Sequence, residues 1–168
     1  MNKNDFRVKF PLWNIALYTI LMIWAYSVVY LSDMYFNNFE GMFGVNGEII
    51  WDTPVLLSFF IGLISLILFF IIYFFKLNRH NKKNPTKKMS AFTILKLGEF
   101  IEDDELFRQI TQNATKRVYI FYSQILPLLI LLMILPFNRY VFIVVIFLLL
   151  IIQNLIYYRH VRKYITTG

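Results

Sequence analysis

Residues 54–75 read PVLLSFFIGLISLILFFIIYFF, and no charged side chain interrupts them. A helix of about 20 predominantly apolar residues crosses a hydrocarbon core of roughly 30 Å. Pro54 falls in the first turn of such a helix, where its missing N–H costs nothing. Asp52 or Thr53 can cap that start. The stretch therefore predicts a membrane-spanning helix, and the rest of the chain can be placed around it.

Upstream, Leu12 to Leu31 is also uncharged, with Asn14, Thr19 and Ser27 as its polar interruptions. Its end, Tyr26-Ser27-Val28-Val29-Tyr30-Leu31, is too bulky for the cleavage site of a signal peptide, so it reads as a retained span. Downstream, Val118 to Leu135 and Val141 to Tyr158 are two shorter uncharged stretches. Pro136-Phe137-Asn138-Arg139-Tyr140 joins them and suits a tight turn between antiparallel helices. Composition agrees with four spans. Of the 168 residues, 58% are apolar and 16% charged, against about 45–50% and 25% in soluble domains. A chain this short cannot hide that much apolar surface in its own core. Cysteine is absent, which excludes a disulfide framework, a thiolate metal site and a cysteine nucleophile.

Charge predicts the orientation. Ser32 to Thr53 carries Asp33, Glu40, Glu48 and Asp52, with no Lys or Arg. Lys76 to Arg117 is rich in both. Lys3, Arg7 and Lys9 precede the first span, and Arg159, Arg162 and Lys163 follow the last. Basic segments near spans face the cytoplasm. All three lie on one side only with an even number of spans, and only Arg139 falls outside. The net charge of +7 is accounted for by these flanks and by anionic lipid headgroups. No basic groove or motif points to nucleic acid. Trp13, Tyr30, Tyr35, Trp51, Tyr73, Tyr119, Tyr140, Tyr157 and Tyr158 fall near the expected interfaces, where amphipathic rings anchor spans.

The fold class expected is all-α: an integral membrane four-helix protein of two helical hairpins joined by a small cytoplasmic helical segment. Residues 1–76 form the first pair with its outer loop, 77–117 the cytoplasmic segment, and 118–168 the second pair and basic tail. Lys76 to Lys88 reads as a stop-transfer cluster running into a polar linker. Ser90 can cap a short helix bearing Phe92 and Leu95. A second helix follows Glu102-Asp103-Asp104-Glu105, with Leu106, Phe107, Ile110, Ala114 and Val118 at helical spacing. Asp103 or Asp104 is its N-cap. No Gly or Pro intervenes before Pro127, so this helix is expected to run on into the third span. Pro127 should then kink the span or be accommodated by its neighbours.

The chemistry-bearing residues are sparse. The acidic run lacks calcium-loop spacing and a turn glycine, so it reads as a solvated helix start and not a metal site. No span holds Asp, Glu, Lys, Arg or His, the residues that mark ion pathways and intramembrane catalysis. Ser58, Ser65 and Ser123 therefore lack a base at membrane depth. His80 and His160 can meet if spans two and four pack together, but two ligands do not complete a metal site. Gln124, Gln153 and Asn154 can hydrogen-bond between helices, and Ser58-x-x-x-Gly62 allows close helix approach. In the outer loop, Gly41 to Gly47 has neither the preceding strand nor the following Lys of a phosphate loop. Asn46-Gly47 suits a turn.

Glu102 to Val118, reading EDDELFRQITQNATKRV into a span, resembles a group of small four-span membrane proteins of Gram-positive bacteria. These carry an acidic-then-basic cytoplasmic helix before a closing pair of spans. Asp104 and Glu105 match the acidic part, Arg108 is displaced from the pattern, and Tyr157-Tyr158-Arg159 is similar to the ending. The resemblance implies no enzyme activity, no catalytic, cofactor or metal residues, and an accessory, regulatory or immunity role. The function expected is that of a non-catalytic factor of a bacterial cytoplasmic membrane, acting through partner binding by Leu106, Phe107 and Ile110. The alternative is a subunit of a transporter or secretion complex, with spans two and four as docking faces. A third reading, a lipid-modifying or lipid-binding enzyme with catalytic residues at the cytoplasmic interface, needs His80, Glu102 to Glu105 and His160 to converge. The expected partners are the bilayer, its anionic headgroups, and a membrane or cytoplasmic protein, a second copy of the chain included.

Overall fold

The computed structural model describes residues 6–43, 52–85, 88–90 and 105–167. Four long helices account for nearly all of these: α1 (Phe6–Asn37), α2 (Thr53–Lys83), α3 (Glu105–Met133) and α4 (Arg139–Thr167). A single 3-10 turn, Glu40–Met42, follows α1. All four helices are long and apolar enough to cross a membrane. The all-α four-helix reading of the sequence therefore holds.

The helices outrun the spans read from charge. At 1.5 Å per residue α1 is about 48 Å long, well beyond the roughly 30 Å of hydrocarbon. Charge marks where a helix leaves the hydrocarbon, whereas the hydrogen-bond ladder stops only at a cap or breaker. Lys76 to Lys83 accordingly continue α2 instead of forming a linker, and Asn84 ends it with its N–H on the His80 carbonyl. The chain then turns back. The Asn81 side chain donates to the Met89 carbonyl and accepts from the Met89 N–H, both at 2.9 Å. That pair of bonds seats Met89 in the core. α3 is continuous from the acidic run into the span and passes through Pro127, as expected. Asn138 opens α4, its side-chain oxygen accepting from the Tyr140 N–H at 2.9 Å. Asp52 stands at the N-cap of α2 without a side-chain capping bond. Its carboxylate instead lies beside the Tyr30 hydroxyl.

The helices pack as a row. α1 contacts α2 on one side and α4 on the other, and α3 contacts α4. Antiparallel registers are set by Trp24 with Phe59 and Trp13 with Phe69 between α1 and α2. Tyr18 with Phe147 and Tyr26 with Tyr140 set the register between α1 and α4. The two hairpins are thus joined along α1 and α4, the inner helices. α2 forms no comparable packing with α4, so the condition under which His80 and His160 could meet is not fulfilled. Asn14 with Asn154 and Tyr18 with Phe147 seat α4 on the second side of α1, which leaves α2 and α3 as the outer helices. Both outer helices expose large apolar side chains, among them Leu57, Phe60, Ile64 and Ile71 on α2 and Leu128, Ile130 and Leu131 on α3. A surface of that kind needs lipid or protein against it.

Among the described residues two clusters form the core, both toward the end where α1 begins and α4 ends, called here the basic end. Phe10, Leu17, Phe69, Tyr73, Leu77 and Met89 bury one another between α1 and α2, with Phe6 and Trp13 packed alongside. Val8, Ala114 and Val161 join α1, α3 and α4, with Ile110 and Tyr157 against them. Tyr73 and Trp13 were expected to anchor spans at the lipid interface. Tyr73 is instead fully buried, because the α1–α2 crossing encloses it between Phe6, Trp13 and Phe69.

Candidate functional site

Several polar side chains inside the helical row bond from one helix to the next. Asn14 on α1 donates from Nδ2 to Oδ1 of Asn154 on α4 at 3.3 Å, and the Asn154 Nδ2 donates to the Leu150 carbonyl. The Tyr122 hydroxyl on α3 donates to Gln153 Oε1 on α4. The Trp24 indole N–H donates to the Phe59 carbonyl of α2 at 3.1 Å. Each of the three helix contacts therefore carries one side-chain hydrogen bond, worth about 0.6 kcal/mol on average in a membrane. Gln153 and Asn154 play the interhelical role expected of them. Their partners Tyr122 and Asn14, and Trp24, were not singled out beforehand; an indole N–H far from an interface was the available signal.

Gly62 makes the close approach foreseen for the small-x-x-x-small pattern, and the partner is Trp24. A Cβ on Gly62 would lie 2.6 Å from the Trp24 Cγ and 2.9 Å from its Cβ. Ser58 does not share this contact; its hydroxyl bonds the Val55 carbonyl of its own helix. Ser65 and Ser123 likewise bond the Ile61 and Ile120 carbonyls.

The two histidines occupy separate surroundings. His80 lies against the Phe6 ring at 5.5 Å and close to the Asn84 amide. His160 lies against the Tyr164 ring at 4.9 Å. α1 stands between their helices, so the convergence a lipid-modifying site needs is not formed by His80 and His160. Glu102, Asp103 and Asp104 fall outside the described residues, as do Phe92, Leu95 and Asn46-Gly47. Glu105 opens α3 and is exposed. Among the described residues no group of three His, Cys, Asp or Glu side chains comes together.

Of the expected docking residues, Ile110 is half-buried against Val8, Ala114 and Val161. Part of its side chain therefore faces this chain's own core. Leu106 and Phe107 lie in the first turn of α3, and their side chains fall outside the described residues.

Among the described residues, clefts of about 630 Å³ each open at opposite ends of the row. At the basic end, between α3 and α4, Lys116, Arg117, Gln124 and His160 line a cleft floored by Ile120, Phe121 and Ile156. The His160 Nε2 is buried there with no hydrogen-bond partner among the described residues. At the other end, Tyr30, Asp33, Asn37 and Asp52 line the second cleft. Asp33 accepts from Asn37 at 2.9 Å and pairs with Arg139 at 2.8 Å. Arg139, the one basic residue on the acidic side by sequence, is thus matched to an acid there. The pair is partly exposed and contributes at most about 1 kcal/mol.

No protein-family model matches the chain, and neither curated proteins nor solved structures match it significantly.

Proposed function

We propose that this chain is a non-catalytic membrane protein that works by binding a partner, as a regulatory, accessory or immunity factor of a bacterial cytoplasmic membrane. One observation carries the reading. The Asn14–Asn154, Tyr122–Gln153 and Trp24–Phe59 bonds join helix to helix, whereas α3 packs mainly on α4, with Ala114 reaching Val8 of α1, and exposes Leu128, Ile130 and Leu131. Leu106 and Phe107, in the first turn of α3, are the proposed contact residues. The comparable openness of α2, which among the described helices packs chiefly on α1, favours a second reading, a subunit of a transporter or secretion complex. Its docking faces would be α2 and α3, since α4 is an inner helix.

The proposed orientation puts the basic end, with both termini, in the cytoplasm. Reporter fusions after residue 40 should then report outside, and fusions after residue 85 or at the C-terminus inside. A cytoplasmic signal from the residue 40 fusion would overturn the orientation.

Docking is tested by co-purification from native membranes at matched expression. Phe107→Ser should reduce partner recovery at least tenfold, about the loss of one anchoring aromatic contact, while leaving the spans inserted. Gln153→Leu should do less, because the Tyr122 bond that it removes contributes little on average. If Phe107→Ser leaves every co-purifying protein and phenotype intact while Gln153→Leu abolishes them, docking through α3 fails. Transport by the membrane interior then becomes the better reading.

A further inference from the structure

We infer that the cleft between α3 and α4 at the basic end binds the phosphate headgroup of an anionic membrane phospholipid. Lys116 and Arg117 would hold the headgroup. Ile120, Phe121 and Ile156 would receive the start of an acyl chain.

Three features of the cleft converge on this ligand. Its charge is one-sided: Lys116 and Arg117 line it, Lys163 adds its field to His160, and no described lining residue is acidic. Basic pockets between membrane helices recognise anionic lipid headgroups in this way. Its charge is confined to one end along α3, with Ile120 and Phe121 a turn deeper and the uncharged Gln124 beyond them. Lys116 and Gln124 are eight positions apart, about 12 Å of helix, and Ile120 and Phe121 lie between them. A headgroup ligand with an apolar tail matches that arrangement, and a small free anion uses only its charged end.

The third feature is His160. Its Nε2 is buried without a partner among the described residues, and an unsatisfied buried polar atom is costly. Nε2 is shut off from the cleft as the ring stands; once the ring turns toward a bound phosphate, with the proton on Nε2, it donates to an acceptor oxygen there. Phosphate oxygens supply acceptors in a geometry that Arg117 can meet with two N–H groups at once. This site does not depend on whether a protein partner exists.

The test uses the full chain in an uncharged detergent. Phosphatidylglycerol and phosphatidylcholine of the same acyl chains are titrated, and bound lipid is read by native mass spectrometry. The wild type should prefer phosphatidylglycerol. The Lys116→Gln/Arg117→Gln double variant should bind it on the order of thirtyfold more weakly, from the usual effect of two interfacial cations. Lys116→Arg/Arg117→Lys should stay within a few-fold of wild type. So should Lys82→Gln/Lys83→Gln, which removes exposed cations on α2.

Equal binding of the two lipids by the wild type would overturn the inference, as would a double variant no weaker than the α2 control. Displacement of phosphatidylglycerol by millimolar inorganic phosphate would mark a free-anion site and overturn the lipid assignment. Should the double variant fail to fold, the wild type alone decides. Its phosphatidylglycerol preference must fall as salt rises, and a salt-independent preference would overturn the inference.

Discussion

Gly62→Leu is expected to separate α1 from α2 and cost about 3 kcal/mol, the upper part of the range for overpacking a well-filled contact. The reason is local. The position of a Gly62 Cβ is already occupied by the Trp24 side chain, down to its own Cβ. Trp24 cannot swing clear without giving up its indole bond to the Phe59 carbonyl. A lost bond inside lipid has no water to replace it. Gly62→Ala should act in the same direction and less strongly, and Trp24→Phe should remove the hydrogen bond while keeping the fit. Unfolding by titration of a denaturing detergent, followed by helicity, measures all three. A Gly62→Leu variant as stable as wild type would show that α1 and α2 do not meet at this point.

Tyr73→Ala should cost about 3 kcal/mol, at the low end for deleting a buried aromatic ring. The low end applies because lipid tails are as apolar as the protein interior, so packing and not transfer from water holds these helices together. Tyr73 has no exposed surface and touches Phe6, Trp13, Phe69 and Phe74. Its removal leaves a cavity that four other rings cannot collapse into. Tyr73→Phe makes the informative contrast. The Tyr73 hydroxyl is buried without a partner among the described residues, so removing it should leave stability unchanged or raise it by about 1 kcal/mol. The same titration, with Trp13 fluorescence as a local probe, separates the two. Marked destabilisation by Tyr73→Phe would mean that the hydroxyl is satisfied after all.

Much of the architecture was legible in the sequence because the bilayer imposes it. Inside lipid every backbone group must be bonded within its own segment. A long uncharged stretch such as residues 54–75 therefore has one stable solution, a helix. The same constraint made α3 readable as a single helix from the acidic run onward, since neither Gly nor an early Pro offered a stop. Asn154 and Gln153 were legible as interhelical bonding groups because an amide in hydrocarbon must find a partner.

Which partner it finds was not legible. Four spans of similar hydrophobicity can be ordered in several ways, and apolar residues on every side of α2 do not say which side meets α1. The order α2, α1, α4, α3 was decided by side-chain fit: Gly62 under Trp24, Tyr73 among aromatic rings, Asn14 opposite Asn154. That order placed Ile110 against the core, kept His80 apart from His160, and brought Lys116, Arg117 and His160 around one cleft. Sequence by itself determined that four helices form, and it located the charge at their ends. Only the tertiary structure decided which faces meet, because packing in lipid depends on shape contacts between residues distant in the chain, which hydropathy and charge do not encode.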